Sequence, residues 1–316
     1  MTQIILQPGQ LLTHTFAVIK STKKTAKNGE FYTSLSLISP DLQMTGTLWD
    51  ARYQGIPIRE NEAYEVTGTI NVFMGKPSLQ LTSAKSSSTP ISAFLPDLPT
   101  VVFDIETLGQ QYADLSESQK QYLAHLYPDL PVSELGDKTA LHPLFGNVIY
   151  VAMHNPSSGK GVVFGVSGGE IKPVDPQFSY TTCKDEKELL TNVWATIAKY
   201  QQYVSYNGKG FDYPFLLFRS LVHKVTIAKG LESTRHLDLA KLLRPNNSQY
   251  KLSAICEALG IDDPKSHGVS GLYVSQLYRQ NKYQEIVDYV ARDVISTTAL
   301  YQALAHAAPL LLVSLK

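Results

Sequence analysis

The sequence predicts a small all-β barrel or sandwich followed by an α/β domain in which helices flank a mixed sheet. Three observations carry this. Short alternating runs fill the chain before residue 86. A small-polar, proline-bearing stretch then interrupts it. Beyond that stretch, strand-like and helix-like segments alternate, which is the pattern of a sheet covered by helices.

In the first part, Phe31, Thr33, Leu35 and Leu37 alternate with Tyr32, Ser34, Ser36 and Ile38, the period of a half-buried strand. Phe16–Lys20, Met44–Trp49, Tyr64–Phe73 and Ser78–Thr82 are further short runs. Five strands in so short a stretch suit a closed or two-layered β structure. Asn28-Gly29 signals a hairpin between the first two strands. Gly46, Gly68 and Gly75 fall where bulges or turns are expected. The run Ser86, Ser87, Ser88, Pro90, followed by Pro96 and Pro99, has linker composition. The expected division is residues 1–85, a linker at 86–98, and a domain at 99–316.

In the second part, Thr100–Ile105, Val148–Met153, Gly161–Val166, Tyr203–Tyr206 and His236–Leu239 read as strands. Helices are expected over Ser116–Leu126, Asp185–Tyr200, Pro214–Val222, Leu252–Leu259 and Tyr283–Ala305. Leu189, Leu190, Val193, Trp194 and Ile197 recur at helical spacing in the second of these.

The chain has 316 residues, of which 43% are hydrophobic and 18% charged, enough apolar side chain for two cores. Its 28 basic and 28 acidic residues cancel, which excludes a histone-like polycation but not a local basic patch. Two cysteines, Cys183 and Cys256, exclude a disulfide framework or a cysteine zinc site. No secretory leader is legible in the first ten residues, and the apolar tail Pro309–Leu315 is too short to span a bilayer. The expectation is a soluble, cytoplasmic protein with no membrane partner.

Acidic residues recur in three places. Asp104 and Glu106 lie two apart on one strand face, in VVFDIETLG. Such close carboxylates repel unless a cation lies between them, although two solvated acids at a strand end would look the same. Asp212 stands at a strand-to-helix turn in YNGKGFDYPF and could serve simply as a helix cap. Tyr289 and Asp293 are four apart on one helix face, beside the apolar stripe Ile286, Val290 and Val294.

Taken in order, Asp104-x-Glu106, Asp212 and Tyr289-x-x-x-Asp293 resemble the DEDDy branch of the DnaQ-like 3′–5′ exonucleases. The surroundings Asn207, Gly208, Phe211 and Pro214 resemble the proofreading domains of family B DNA polymerases, as do HLDLAKLL and KLSAICEALGI. The sister DEDDh branch would carry His at position 288, which here is Asp288. The resemblance spans roughly residues 100–305 and implies a ribonuclease H-like fold.

It also implies a metal-dependent exonuclease that consumes single-stranded DNA or RNA from a free 3′ end and releases nucleoside monophosphates. Two divalent cations would clamp the attacking and leaving oxygens. An all-oxygen ligand set points to Mg²⁺ or Mn²⁺ rather than zinc. By the resemblance, Asp104 bridges both cations, Glu106 and Asp293 complete one site, and Asp212 holds the other. Tyr289 would aim the attacking water; a phenol is too weak an acid to act as its base at neutral pH. Thr107 and Leu108 would contact the terminal nucleotide, Leu108 wedging under its base or merely packing. Asn207 and Phe211 would touch the next sugar or base, and a core role suits Phe211 equally. Asp238 reads as structural. The segment between Leu108 and His142 either flanks the substrate or is scaffold.

Residues ~12–85 resemble an OB-fold nucleic-acid-binding domain, in AVIKSTKKTAKNGEFYTSLSL, GTLWD and YEVTGTINVFMGKPSLQL. Lys20, Lys23, Lys24 and Lys27 crowd the first hairpin, and Tyr32, Trp49 and Phe73 offer aromatic faces. A basic groove with aromatics holds single strands without reading sequence; a solvated lysine loop and core aromatics are the plainer alternative. DNA is favoured over RNA by the polymerase-like surroundings. An exoribonuclease is the competing enzyme reading. A non-catalytic strand-binding accessory protein is the reading of another class, against which the intact acidic set argues.

Overall fold

The computed structural model describes residues 6–73, 76–94, 98–166, 171–227, 235–244, 248–262 and 273–308. It divides into two compact units, Met1–Asp97 with Leu304–Lys316, and Leu98–Ala303.

The first unit is a closed five-stranded barrel of β1 (Leu11–Thr25), β2 (Phe31–Ile38), β3 (Gln43–Trp49), β4 (Ala63–Phe73) and β5 (Lys76–Ser86). Around the barrel the order is β1-β2-β3-β5-β4, all neighbours antiparallel except the parallel pair β3–β5. Closure removes the sheet's edges. Alternation works as expected: Leu35 and Leu37 on β2, Val66 and Ile70 on β4, and Leu79 and Leu81 on β5 all point inward and are buried. Gly68 sits opposite a bulge in β5, whose extra residue is Thr82, and a side chain there would strike the Gln80 backbone. Gly46 lies in mid-strand instead, because a side chain there would crowd Leu37 and Leu81 in the barrel interior. Gly75 is outside the described residues. The hairpin at Asn28-Gly29 forms, with Gly29 in the left-handed region (φ 85°).

Part of the stretch with linker composition is folded. β5 runs to Ser86, and Ile91–Phe94 make a 3-10 turn whose Phe94 is buried against Ala17, Ile38 and Ala63 of the barrel. Polar composition concealed one apolar anchor.

The second unit is built on a six-stranded mixed sheet. Its strands are β6 (Thr100–Gly109), β7 (Gly146–Asn155), β8 (Lys160–Gly165), β9 (Phe178–Thr182), β10 (Gln202–Ser205) and β11 (His236–Asp238), in the order β11-β10-β6-β7-β8-β9. β6 runs antiparallel to β7 and parallel to β10. The helices are α1 (Glu117–Leu126), α2 (Val132–Leu135), α3 (Glu186–Ile197), α4 (Asp212–Val222), α5 (Leu239–Leu242), α6 (Leu252–Leu259), α7 (Val274–Arg279) and α8 (Tyr283–Ala307). A capping box, Ser116 with Gln119, starts α1.

Strand alternation sorts β6 into two faces. Val101, Phe103 and Ile105 pack with Leu189, Val193 and Trp194 of α3 and Phe215 and Leu216 of α4. The intervening residues, including Asp104 and Glu106, face the other way, towards α8. On that face Ile286, Val290 and Val294 bury the helix, and Thr298 hydrogen-bonds His154 of β7 at 3.2 Å. Behind the first face, Glu186 ties three elements together. It accepts from the Val148 backbone N–H (2.7 Å), from the Arg219 guanidinium (2.7 and 3.0 Å) and from His223 (2.7 Å). This largely buried cluster ties the C-terminal end of α4 to β7 and α3.

Candidate active site

Three carboxylates converge between β6 and α8. Asp104, Glu106 and Asp293 each offer an oxygen within 4.8 Å of the others'. Asp212 completes the set from another direction. It is not the cap of its helix: Phe211 takes that position, without a side-chain cap bond, and Asp212 is the first helical residue. Its Oδ1 accepts the backbone N–H of Ile105 at 3.2 Å, and its carboxyl meets that of Asp104 in a side-chain hydrogen bond.

Electrostatics agree. Burial, then the charges of Asp212, Asp293 and Glu106, push the Asp104 carboxyl well above the usual range. Burial pushes Asp212 up to about 7 against the partly offsetting hydrogen bonds it accepts. Tyr289 is buried, and burial together with Glu106, Asp293 and Asp104 raises its phenol far above its ordinary value; it donates to Asp293. The phenol is therefore neutral at any working pH. An all-oxygen set of mutually repelling carboxylates, Glu106 and Asp212 buried and Asp104 and Asp293 half-buried, suits hard divalent cations, which would relieve the repulsion.

These residues floor a cavity of about 710 Å³. Thr107, Asn207 and Phe211 line it, and Leu108 does not. Between Glu106 and Thr107 the pairing with β7 slips by one, the extra residue being Ile149 of β7. Thr107 donates to the Ala140 carbonyl at 2.7 Å. That bond holds the 3-10 turn Gly136–Leu141 against β6, and Gly136, Asp137, Ala140 and Leu141 form one wall. A side chain at Gly109 would collide with Thr139 of that turn. The segment between Leu108 and His142 thus contributes directly to the cavity, which no periodicity foretold. On the opposite side Tyr273, Ser275, Gln276 and Arg279, also unforeseen, complete the lining.

The turn 207–210 is held by Asp238. This buried carboxylate accepts the backbone N–H groups of Asn207 (2.9 Å), Lys209 (3.1 Å) and Lys241 (3.4 Å), the last as cap of α5. Asn207 adopts φ 67°, and a side chain at Gly208 would strike Ser205. Asp238 is structural, as its sequence context suggested. Asp288, at the position that separates the two branches, points elsewhere and accepts the Val174 N–H at 2.9 Å.

On the barrel, Lys24 stands opposite Tyr32, and Tyr32 opposite Trp49, in register across β1, β2 and β3. The Tyr32 and Trp49 rings lie 5.0 Å apart, and Arg52, not foreseen from sequence, sits 5.7 Å over Trp49. Lys23, one residue along, points to the other face of the strand, and Lys27 is exposed at the turn. The Phe73 side chain lies outside the described residues.

Comparison with known proteins places these features in context. Residues 177–311 match a family described as a predicted 3′–5′ exonuclease related to the exonuclease domain of PolB. An uncharacterised protein of Methanocaldococcus jannaschii is 30% identical over 135 residues, 38% of this chain and 76% of that one. The family B DNA polymerase of the hyperthermophilic archaeon Pyrobaculum calidifontis superimposes over 92% of this chain with TM-score 0.46 and 14% identity; the chain spans 46% of that polymerase. The matched family segment holds Asp212, Tyr289 and Asp293, whereas Asp104 and Glu106 precede it and join them only in space. No helix among the described residues is long and apolar enough to cross a membrane.

Proposed function

Because this chain belongs to the family of predicted 3′–5′ exonucleases related to the exonuclease domain of PolB, we propose that it hydrolyses single-stranded nucleic acid from the 3′ end, DNA in preference to RNA, releasing nucleoside monophosphates. The observation that carries this is the convergence of Asp104, Glu106 and Asp293 beside Asp212 and Tyr289 in one cavity.

Asp104, Glu106 and Asp293 would hold one Mg²⁺ or Mn²⁺, and Asp104 with Asp212 a second. When bound, the two cations neutralise the scissile phosphate and acidify the attacking water. The chain's own contribution is positional. Burial and mutual repulsion raise Asp104 and Asp212, and cation uptake, which needs them ionised, would favour higher pH. The Tyr289 hydroxyl donates to Asp293 and keeps its oxygen free to accept from the water, aiming a lone pair at phosphorus. Thr107, anchored through Ala140, and Asn207, anchored through Asp238, would receive the terminal nucleotides.

The barrel is read as an OB-fold strand holder. Its strand order with a parallel β3–β5 pair supports this, as does the alignment of Lys24, Tyr32 and Trp49. Its domain would end within the span first read as linker.

The test is degradation of 5′-labelled single-stranded DNA, single-stranded RNA and duplex DNA with Mg²⁺, Mn²⁺ or chelator. A descending ladder on the single strands, abolished by chelator and faster on DNA, is expected. Immediate release of a labelled 5′ mononucleotide, or binding without hydrolysis in either metal, refutes the reading.

A further inference from the structure

Four acids floor the cavity and Asp137 adds a fifth carboxylate to its wall; among its described lining residues Arg279 is the sole cation. Arg279 ends α7, whose Val274 and Leu277 are buried beneath it. Ser275, Gln276 and Arg279 occupy the opposite side of that helix, and all three line the cavity. Among the described residues Arg279 forms no ion pair with any of these carboxylates, the ion pairs of this unit lying elsewhere. A guanidinium within reach of a buried carboxylate would have paired with it. Arg279 therefore lines the cavity as a cation not bound to these acids.

We propose that Arg279 receives the internucleotide phosphate next inward from the bond that is cut. This rests on the exonuclease reading above. The scissile phosphate is neutralised at the acidic floor, but the next phosphate would otherwise face walls of the same sign as itself. A planar guanidinium fork can chelate two phosphate oxygens, and Ser275 and Gln276 beside it add neutral donors. Such a contact grips backbone and not base, so it acts on every sequence alike. It also sets a minimum substrate: a trinucleotide presents the second phosphate and a dinucleotide does not.

The test uses the full-length protein with Mn²⁺ and a 5′-labelled oligonucleotide. A second substrate carries an uncharged methylphosphonate at the second linkage from its 3′ end. In the native protein the neutral linkage should raise KM about ten-fold with kcat nearly constant. Arg279→Ala should raise KM on the ordinary strand by the same factor, and the neutral linkage should then cost nothing further. The salt dependence of KM should flatten by ~0.7 in the variant, and Arg279→Lys, which keeps the charge but not the fork, should fall between. Unchanged melting temperatures would exclude misfolding as the cause, since Arg279 is exposed. An unchanged KM in Arg279→Ala, or factors that multiply to about a hundred-fold, overturns this inference while the native protein still degrades the strand. Failure of the native protein to cut either strand overturns the exonuclease reading and this inference with it.

Discussion

Replacing Asp212 by Asn should stabilise the cation-free protein at alkaline pH. The isostere keeps an oxygen for the Ile105 N–H, donates to Asp104, and carries no charge. In the native protein burial lifts Asp212 from 3.8 to about 7, roughly three units, or about 4 kcal/mol at 1.36 kcal/mol per unit. A carboxyl whose folded pKa is raised holds its proton longer in the folded state. Stability is therefore highest below the unfolded value and falls as pH climbs from about 4 to 7. Asp104, raised as well, extends the loss upward. His236 acts oppositely: burial lowers it to about 3, so its contribution grows with pH and is complete above about 6.5. The clean window is thus pH 6.5 to 8.5. In EDTA the full Asp212 penalty is present at the upper end of it, and Asp212→Asn should melt about 10 °C higher than native at pH 8.5. Adding Mn²⁺ should restore the native protein, by roughly 3 kcal/mol at a hundred times Kd, and leave the variant little changed. Scanning calorimetry with and without EDTA measures this. A variant no more stable than native in EDTA at pH 8.5, or equally stabilised by Mn²⁺, would falsify the account of the acids as a repelling, cation-seeking set.

Tyr289→Phe keeps the buried ring and removes the hydroxyl that reaches Asp293; kcat should drop by about one to three orders of magnitude with KM nearly constant, and unchanged turnover would reduce Tyr289 to packing. Asp238→Ala strands the N–H groups of Asn207 and Lys209, so unfolding should become easier by about 2–4 kcal/mol, and a loss under 1 kcal/mol in urea titration would mean the 207–210 turn holds itself. Changing Lys23, Lys24 and Lys27 together to Gln in the full chain should flatten the salt dependence of long-strand binding by about 1.4, at ~0.7 for each of Lys24 and Lys27, Lys23 facing away; an unaltered slope in anisotropy titrations would remove the hairpin from the strand path.

Local sequence already carried the barrel followed by a helix-covered mixed sheet, most strands and helices, and the faces on which the candidate acids lie. Period-two alternation in β6 put Asp104 and Glu106 on one face, and the four-residue step put Tyr289 and Asp293 on another. These are local signals, carried by neighbouring residues along one element. What only the tertiary structure decided depends on contacts between distant segments. Thr107, tied to the Ala140 carbonyl of a distant turn, lines the cavity, and Leu108 does not. Asp212 abandoned capping because a β6 backbone N–H lay within reach. Phe94, set in a polar stretch, found an apolar site on the barrel. The turn Gly136–Leu141 and the face of α7 bearing Arg279 became cavity walls only through packing against β6. Burial, which drives Asp104, Asp212 and Tyr289 so far from their ordinary ionisation, is a property of the folded chain alone, since desolvation depends on every segment that closes over a group and not on its neighbours in sequence.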